Sequence, residues 1–201
     1  MLNKVVEKQE ISLRTLEKAI AFATKCHHGQ IRKMADTPYI LHPVEVAAII
    51  ATMTNDYATM AAGLLHDTIE DCNVDPREIR RRFGPRVAAL VQSETEDRFS
   101  DRPAAETWME RKEDSLLFLA NTKDISVKIM WLADKLSNIR SFARGYREHG
   151  DGLWQFFHQQ DPKKQGWYYY RIAELLPELH DSDAYKEYIA LVDEIFAKYM
   201  D

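Results

Sequence analysis

A chain of 201 residues, 45% hydrophobic and 29% charged, has the size of one domain and the composition of an ordinary globular protein rather than a disordered one. Its formal net charge of −5 excludes a general DNA or RNA binder, whose footprint would be basic, while leaving room for a local basic pocket. The cysteines Cys26 and Cys72 suggest no disulfide framework. Neither a signal-peptide core nor roughly 20 consecutive apolar residues occurs, so a soluble cytoplasmic protein without a membrane partner is expected.

Helical periodicity dominates the chain. Ser12 is a candidate cap for a helix to about His28, with Leu13, Leu16, Ala19, Ile20 and Ala23 on one buried face. Gly29 to His42 reads as a loop, followed by helices over about Pro43–Met53 and Asp56–Glu70. Asp75-Pro76-Arg77-Glu78 is a strong helix start, and Phe83-Gly84-Pro85 stops that helix and begins another. After a polar loop from Glu94 to about Asp101 come a polar helix (about Ala104–Ala120) and an apolar one (about Ile125–Arg144). Gly145, Gly150 and Gly152 mark a loose connection to helices over about Pro162–Leu179 and Asp183–Tyr199. No alternating strand is evident, so the expectation is an all-α fold, a single-domain helical bundle over residues 1–201.

Four residues stand out by chemical type. His66 and Asp67 lie behind the apolar run Gly63-Leu64-Leu65, an imidazole and a carboxylate suited to a divalent metal such as Mn²⁺. On one continuous helix Glu70 would lie about 40° from His66, and Asp71 about 40° from Asp67. Three carboxylates on one arc repel one another unless a cation joins them. Asp134 sits inside an apolar helix, with Asn138 one turn later on the same face. The ordinary reading of Asp134 is a surface carboxylate paired with Lys135 or Lys128. His42 stands beside Pro43 at a helix start, and upstream Arg32 and Lys33 form a small basic cluster that suits phosphate or a base. Taken singly, each has a bland alternative: a capping histidine, a solvated loop.

In combination, the order His42, His66-Asp67, Asp134 resembles the HD superfamily of metal-dependent phosphohydrolases. The likeness extends over roughly residues 16–145. It includes His27-His28-Gly29-Gln30-Ile31-Arg32-Lys33, Thr37-Pro38-Tyr39-Ile40-Leu41-His42-Pro43, Leu64 to Asp71, and Leu132-Ala133-Asp134-Lys135-Leu136-Ser137-Asn138-Ile139-Arg140. These motifs are similar to those of the RelA/SpoT-type alarmone-hydrolase branch. Within it the chain resembles the stand-alone small alarmone hydrolases, including the animal homologues of SpoT. Residues 146–201 would be a helical extension, too short for the synthetase domain of the long members.

The resemblance implies that His42, His66, Asp67 and Asp134 bind one Mn²⁺ per chain and that Glu70 and Asp71 act on the attacking water. It further implies that Arg32, Lys33, Asn138, Thr95 and Arg98 meet the nucleotide, and that guanosine tetra- or pentaphosphate loses its 3′-pyrophosphate. Departures bear on the base: the family often has Arg-Lys-Ser-Gly where this chain has Arg32-Lys33-Met34-Ala35-Asp36-Thr37, and Glu94 replaces an apolar residue. Another nucleotide, such as an adenine alarmone or NADPH, is therefore the alternative substrate, and a catalytically silent nucleotide-binding regulator is the alternative of a different class. The run Trp167-Tyr168-Tyr169-Tyr170 is either core or a ring at the nucleotide. A homo-oligomer is left open.

Overall fold

Five helix starts coincide with polar caps. Asp56, Asp75, Asp124 and Asp161 each accept a hydrogen bond from the backbone N–H two residues on, and Ser182 from the N–H of Tyr185. The computed structural model describes residues 2–33, 36–95, 102–103 and 105–200, with side chains from Leu13 onward. Among these residues all regular structure is helical, and the one extended pairing is an isolated antiparallel bridge between Ile31 and Pro38. The all-α expectation holds. The chain divides into two compact units, Met1–Arg32 with Thr37–Thr95, and Lys33–Asp36 with Glu96–Asp201.

The first unit contains α1 (Leu2–Cys26), α2 (Leu41–Met53), α3 (Tyr57–Leu65), α4 (Thr68–Cys72) and α5 (Pro76–Glu94). Helix α3 is its centre: Thr59 and Ala61 through Leu65 are all buried, and α1, α2 and α5 pack around it. A helix apolar on all sides belongs in a core. Helix α2 offers it the stripe Val46, Ile49 and Ile50, and Phe22 of α1 meets Phe83 of α5 edge to face, with ring centroids 5.4 Å apart. Gly84 breaks α5 at φ 89°, a left-handed conformation that glycine adopts without penalty, as Phe83-Gly84-Pro85 led one to expect. Helix α1 begins at Leu2, well before Ser12, because Leu2 to Ile11 contains no Gly or Pro to interrupt it.

The second unit contains α6 (Trp108–Asn121), α7 (Ile125–His149), α8 (Pro162–Glu174) and α9 (Asp183–Phe196), with short 3₁₀ turns at Gly150–Phe156, Pro177–Leu179 and Ala197–Tyr199. Helix α7 is buried on several sides and runs on through Gly145, itself buried, past the end expected near Arg144. Helix α9 packs on α7 and α8 through Tyr188, Val192, Ile195 and Phe196, and the Tyr188 hydroxyl donates to the Tyr169 carbonyl at 2.8 Å. Helix α8 ends before Pro177, not at Leu179: proline cannot donate to the helix and drives Leu176 out of helical conformation. Tyr168 and Tyr169 are buried, Tyr169 among Phe142, Tyr188 and Phe196, so this part of the aromatic run is core. No helix is long and apolar enough to cross a membrane among the described residues.

Candidate metal centre

His42, His66 and Asp67 meet in the first unit. His42 lies in the first turn of α2, while His66 and Asp67 form the turn joining α3 to α4. The single helix over Asp56–Glu70 expected from periodicity is therefore two helices, so angles counted along one axis do not describe His66, Asp67, Glu70 and Asp71. The reason is local: both junction residues keep helical dihedrals (His66 φ −55°, ψ −41°; Asp67 φ −87°, ψ −4°), which leaves hydrophobic periodicity undisturbed across the interruption.

The junction brings the donors together. The Nε2 atoms of His66 and His42 lie 2.9 Å and 3.5 Å from Asp67 Oδ2. Both imidazoles are buried, whereas the Asp67 side chain keeps 21% of its exposure. His66 Nδ1 lies 2.8 Å from the Gly63 carbonyl. A carbonyl only accepts, so Nδ1 carries a proton and Nε2 faces Asp67; a charged ring donates to the carboxylate from Nε2 as well, whereas a neutral ring leaves Nε2 free to ligate a metal. Burial alone would raise the Asp67 carboxyl, but the charge of His66 and hydrogen bonds from His42 and His66 outweigh it and hold it well below the usual carboxylate range.

Around this core sits a shell that periodicity did not single out. The Tyr39 hydroxyl donates to Asp67 Oδ2 at 2.6 Å, and the Arg32 guanidinium lies over the Tyr39 ring, 5.6 Å from its centroid. Burial, then the charges of Asp67 and Asp71, push the Tyr39 hydroxyl far up, so it remains a donor. His27 Nδ1 lies 2.7 Å from Gln30 Oε1, and Gln30 Nε2 donates to the Asp71 carbonyl at 3.1 Å, tying the end of α1 to α4. Glu70 and Asp71 are both in the first turn of α4, next to the junction. Burial, reinforced by neighbouring Cys26, pushes the Cys72 thiol up to about 11, so it is not a nucleophile at neutral pH. Thr95 caps the C-terminus of α5, its hydroxyl donating to the Val91 carbonyl at 3.1 Å.

In the second unit Asp134 is buried in the middle of α7. Asn138 donates to its Oδ1 at 2.8 Å and Lys135 pairs with its Oδ2. The ordinary surface pairing is thus half right: Lys135 is the partner, but the carboxylate is not at the surface, and Lys128 pairs with Glu178 instead. Lys33 is exposed, and Arg98 lies outside the described residues. His42 and His66 in the first unit and Asp134 in the second are all buried, and each carries an atom of a kind that ligates cations. Two imidazole nitrogens with carboxylate oxygens are a donor set that fits a borderline divalent metal.

Known proteins bear on this arrangement. The HD-domain family pattern matches residues 19–157. The GTP pyrophosphokinase of Streptomyces coelicolor is 41% identical over 138 residues, 68% of this chain but 16% of that protein. The putative chloroplastic GTP diphosphokinase RSH1 of Arabidopsis thaliana is 38% identical over 136 residues, 64% of this chain and 15% of that protein. The chain thus spans only about a sixth of these relatives, whose names describe much longer proteins. Among solved structures, lmo0812 of Listeria monocytogenes is 30% identical with a TM-score of 0.67, covering 78% of this chain and 99% of that one. A metazoan ortholog of SpoT, described as hydrolysing ppGpp and acting in starvation responses, has a TM-score of 0.68 at 24% identity, covering 92% and 94%, and at that identity attests the fold. With more than half its length matched by the family pattern, the chain belongs to the HD-domain family.

Proposed function

We propose that the chain is a metal-dependent phosphohydrolase that removes the 3′-pyrophosphate of guanosine tetra- or pentaphosphate. The observation that carries this reading is the convergence of two buried imidazoles on the Asp67 carboxylate, with the acidic pair Glu70 and Asp71 in the next turn. The fold shared with a metazoan protein described as hydrolysing ppGpp supports the substrate class. His42, His66, Asp67 and Asp134 would hold one divalent ion, Mn²⁺ by the family resemblance. When bound, such an ion acidifies a water and polarises a phosphoryl oxygen.

Glu70 and Asp71 orient the attacking water and take its proton. The water oxygen bonds to phosphorus, the bond from that phosphorus to the 3′-oxygen breaks, and a proton passes to the leaving oxygen. The products are GDP or GTP and pyrophosphate. Arg32 and Lys33 contact the base or ribose, Asn138 the ribose or a phosphate, and Thr95 with Arg98 flank the nucleotide. We assign the protein to the cytoplasm, where such nucleotides occur.

A second reading keeps the metal and changes the nucleotide to an adenine alarmone or NADPH. What favours it is the segment after Arg32-Lys33, which departs from the family pattern at the positions expected to face the base. One assay separates the two: pyrophosphate release from guanosine tetraphosphate, with Mn²⁺ and with chelator. Release that requires Mn²⁺ is expected. Protein that binds Mn²⁺ yet releases nothing from this substrate would retire the guanosine reading and leave the metal site standing.

A further inference from the structure

We propose that Tyr39 is a positioning residue for the metal: its hydroxyl holds the Asp67 carboxylate in the orientation that takes the ion. The inference rests on the metal-site reading above. It begins with one oxygen atom. Asp67 Oδ2 receives the Tyr39 hydroxyl at 2.6 Å, closer than His66 Nε2 at 2.9 Å or His42 Nε2 at 3.5 Å. The two imidazoles and the carboxylate are themselves metal ligands. A protonated phenol is not, so what Tyr39 contributes is the direction of Asp67.

The phenol is itself fixed. Its ring packs against His27 (centroids 4.9 Å apart) and against His42 (5.8 Å), with the Arg32 guanidinium over its face. Its backbone is pinned as well: the Tyr39 N–H donates to the Gln30 carbonyl, and its own carbonyl accepts from the His42 N–H, both at 2.9 Å. The peptide that fixes Tyr39 therefore also starts the helix turn carrying His42. One short segment sets the place of one ligand and, through a hydroxyl, the rotation of a second. A carboxylate without such a partner turns about its Cβ–Cγ bond, and holding it still lowers the cost of forming the site. Removing a group that orients a metal ligand typically weakens metal binding about 10–100-fold.

Tyr39→Phe removes one oxygen and keeps the ring. Mn²⁺ affinity is measured by calorimetry for wild type, Tyr39→Phe and Asp67→Ala, alongside thermal unfolding of each in chelator. The expected result is a Tyr39→Phe variant that melts with the wild type in chelator and binds Mn²⁺ about 10–100-fold more weakly. Equal affinity would overturn the proposal. So would an affinity lost only together with the chelator melting transition, since that would make the phenol a part of the fold and not of the site. A wild type that takes up no Mn²⁺ would bring down the metal-site reading itself, and the proposal with it, a failure distinct from the other two.

Discussion

Asp67 and Glu70 are both carboxylates of one short stretch, yet their surroundings give them different tasks. Asp67 is ringed by donors and held anionic, as a ligand must be, whereas Glu70 stands in the following turn, in the first turn of α4. Asp67→Ala is accordingly expected to lose both Mn²⁺ uptake and turnover. Glu70→Ala should keep uptake and lose about 10²–10⁴-fold in turnover, the usual share of a general base. Calorimetry paired with the pyrophosphate assay reads both, and full hydrolysis by Asp67→Ala would show that the ligand assignment is wrong. At this scale the sequence was informative where chemistry is unusual: a histidine beside an aspartate, or a carboxylate inside an apolar helix. It was less so for Tyr39. The residue lies in the quoted Thr37-Pro38-Tyr39 motif, but a tyrosine in a loop has no period to mark it, and its role depends on an aspartate distant in sequence.

Between elements, the decisive feature is the close approach of α2 and α3 at Gly63. A Cβ there would overlap the Ile50 Cδ1 and press on Val46 Cγ1 at 3.3 Å. Ile50 is fully buried, so in Gly63→Ala its Cδ1 must shift or the helices part, at about 1–3 kcal/mol by analogy with other overpacked cores. The Gly63 carbonyl also fixes the His66 ring, and α2 carries His42, so the same change should weaken Mn²⁺ binding. A Gly63→Ala protein with wild-type melting temperature and wild-type metal affinity would contradict this account. Helix positions were legible because caps are local chemistry, as at Asp75 and around Gly84. The junction at His66–Asp67 was not, because two residues in helical dihedrals can separate two helices without altering the pattern of apolar side chains. The extension of α7 past Gly145 was missed for the opposite reason: glycine's low helix propensity was overridden by burial.

For the whole molecule, metal binding and folding are one linked equilibrium. An ion that binds the folded chain and not the unfolded one stabilises it by about 2.7 kcal/mol at a hundred times its dissociation constant. For a chain of 201 residues each kcal/mol moves the melting temperature by about 2–4 °C, so saturating Mn²⁺ should raise it by roughly 5–10 °C, reversibly with chelator. The same measurement tests Asp134, whose place among the ligands is part of the proposal. Asp134→Asn keeps the shape of the side chain and removes its charge. It should lower the chelator melting temperature, because the largely buried Lys135 ammonium loses its partner, so the Mn²⁺-induced rise is read for each protein against its own chelator baseline. If Asp134 is a ligand, the Mn²⁺-induced rise should shrink or vanish in this variant. If the rise survives undiminished, the metal is held by the histidines and Asp67 alone, and Asp134 belongs to the architecture of α7.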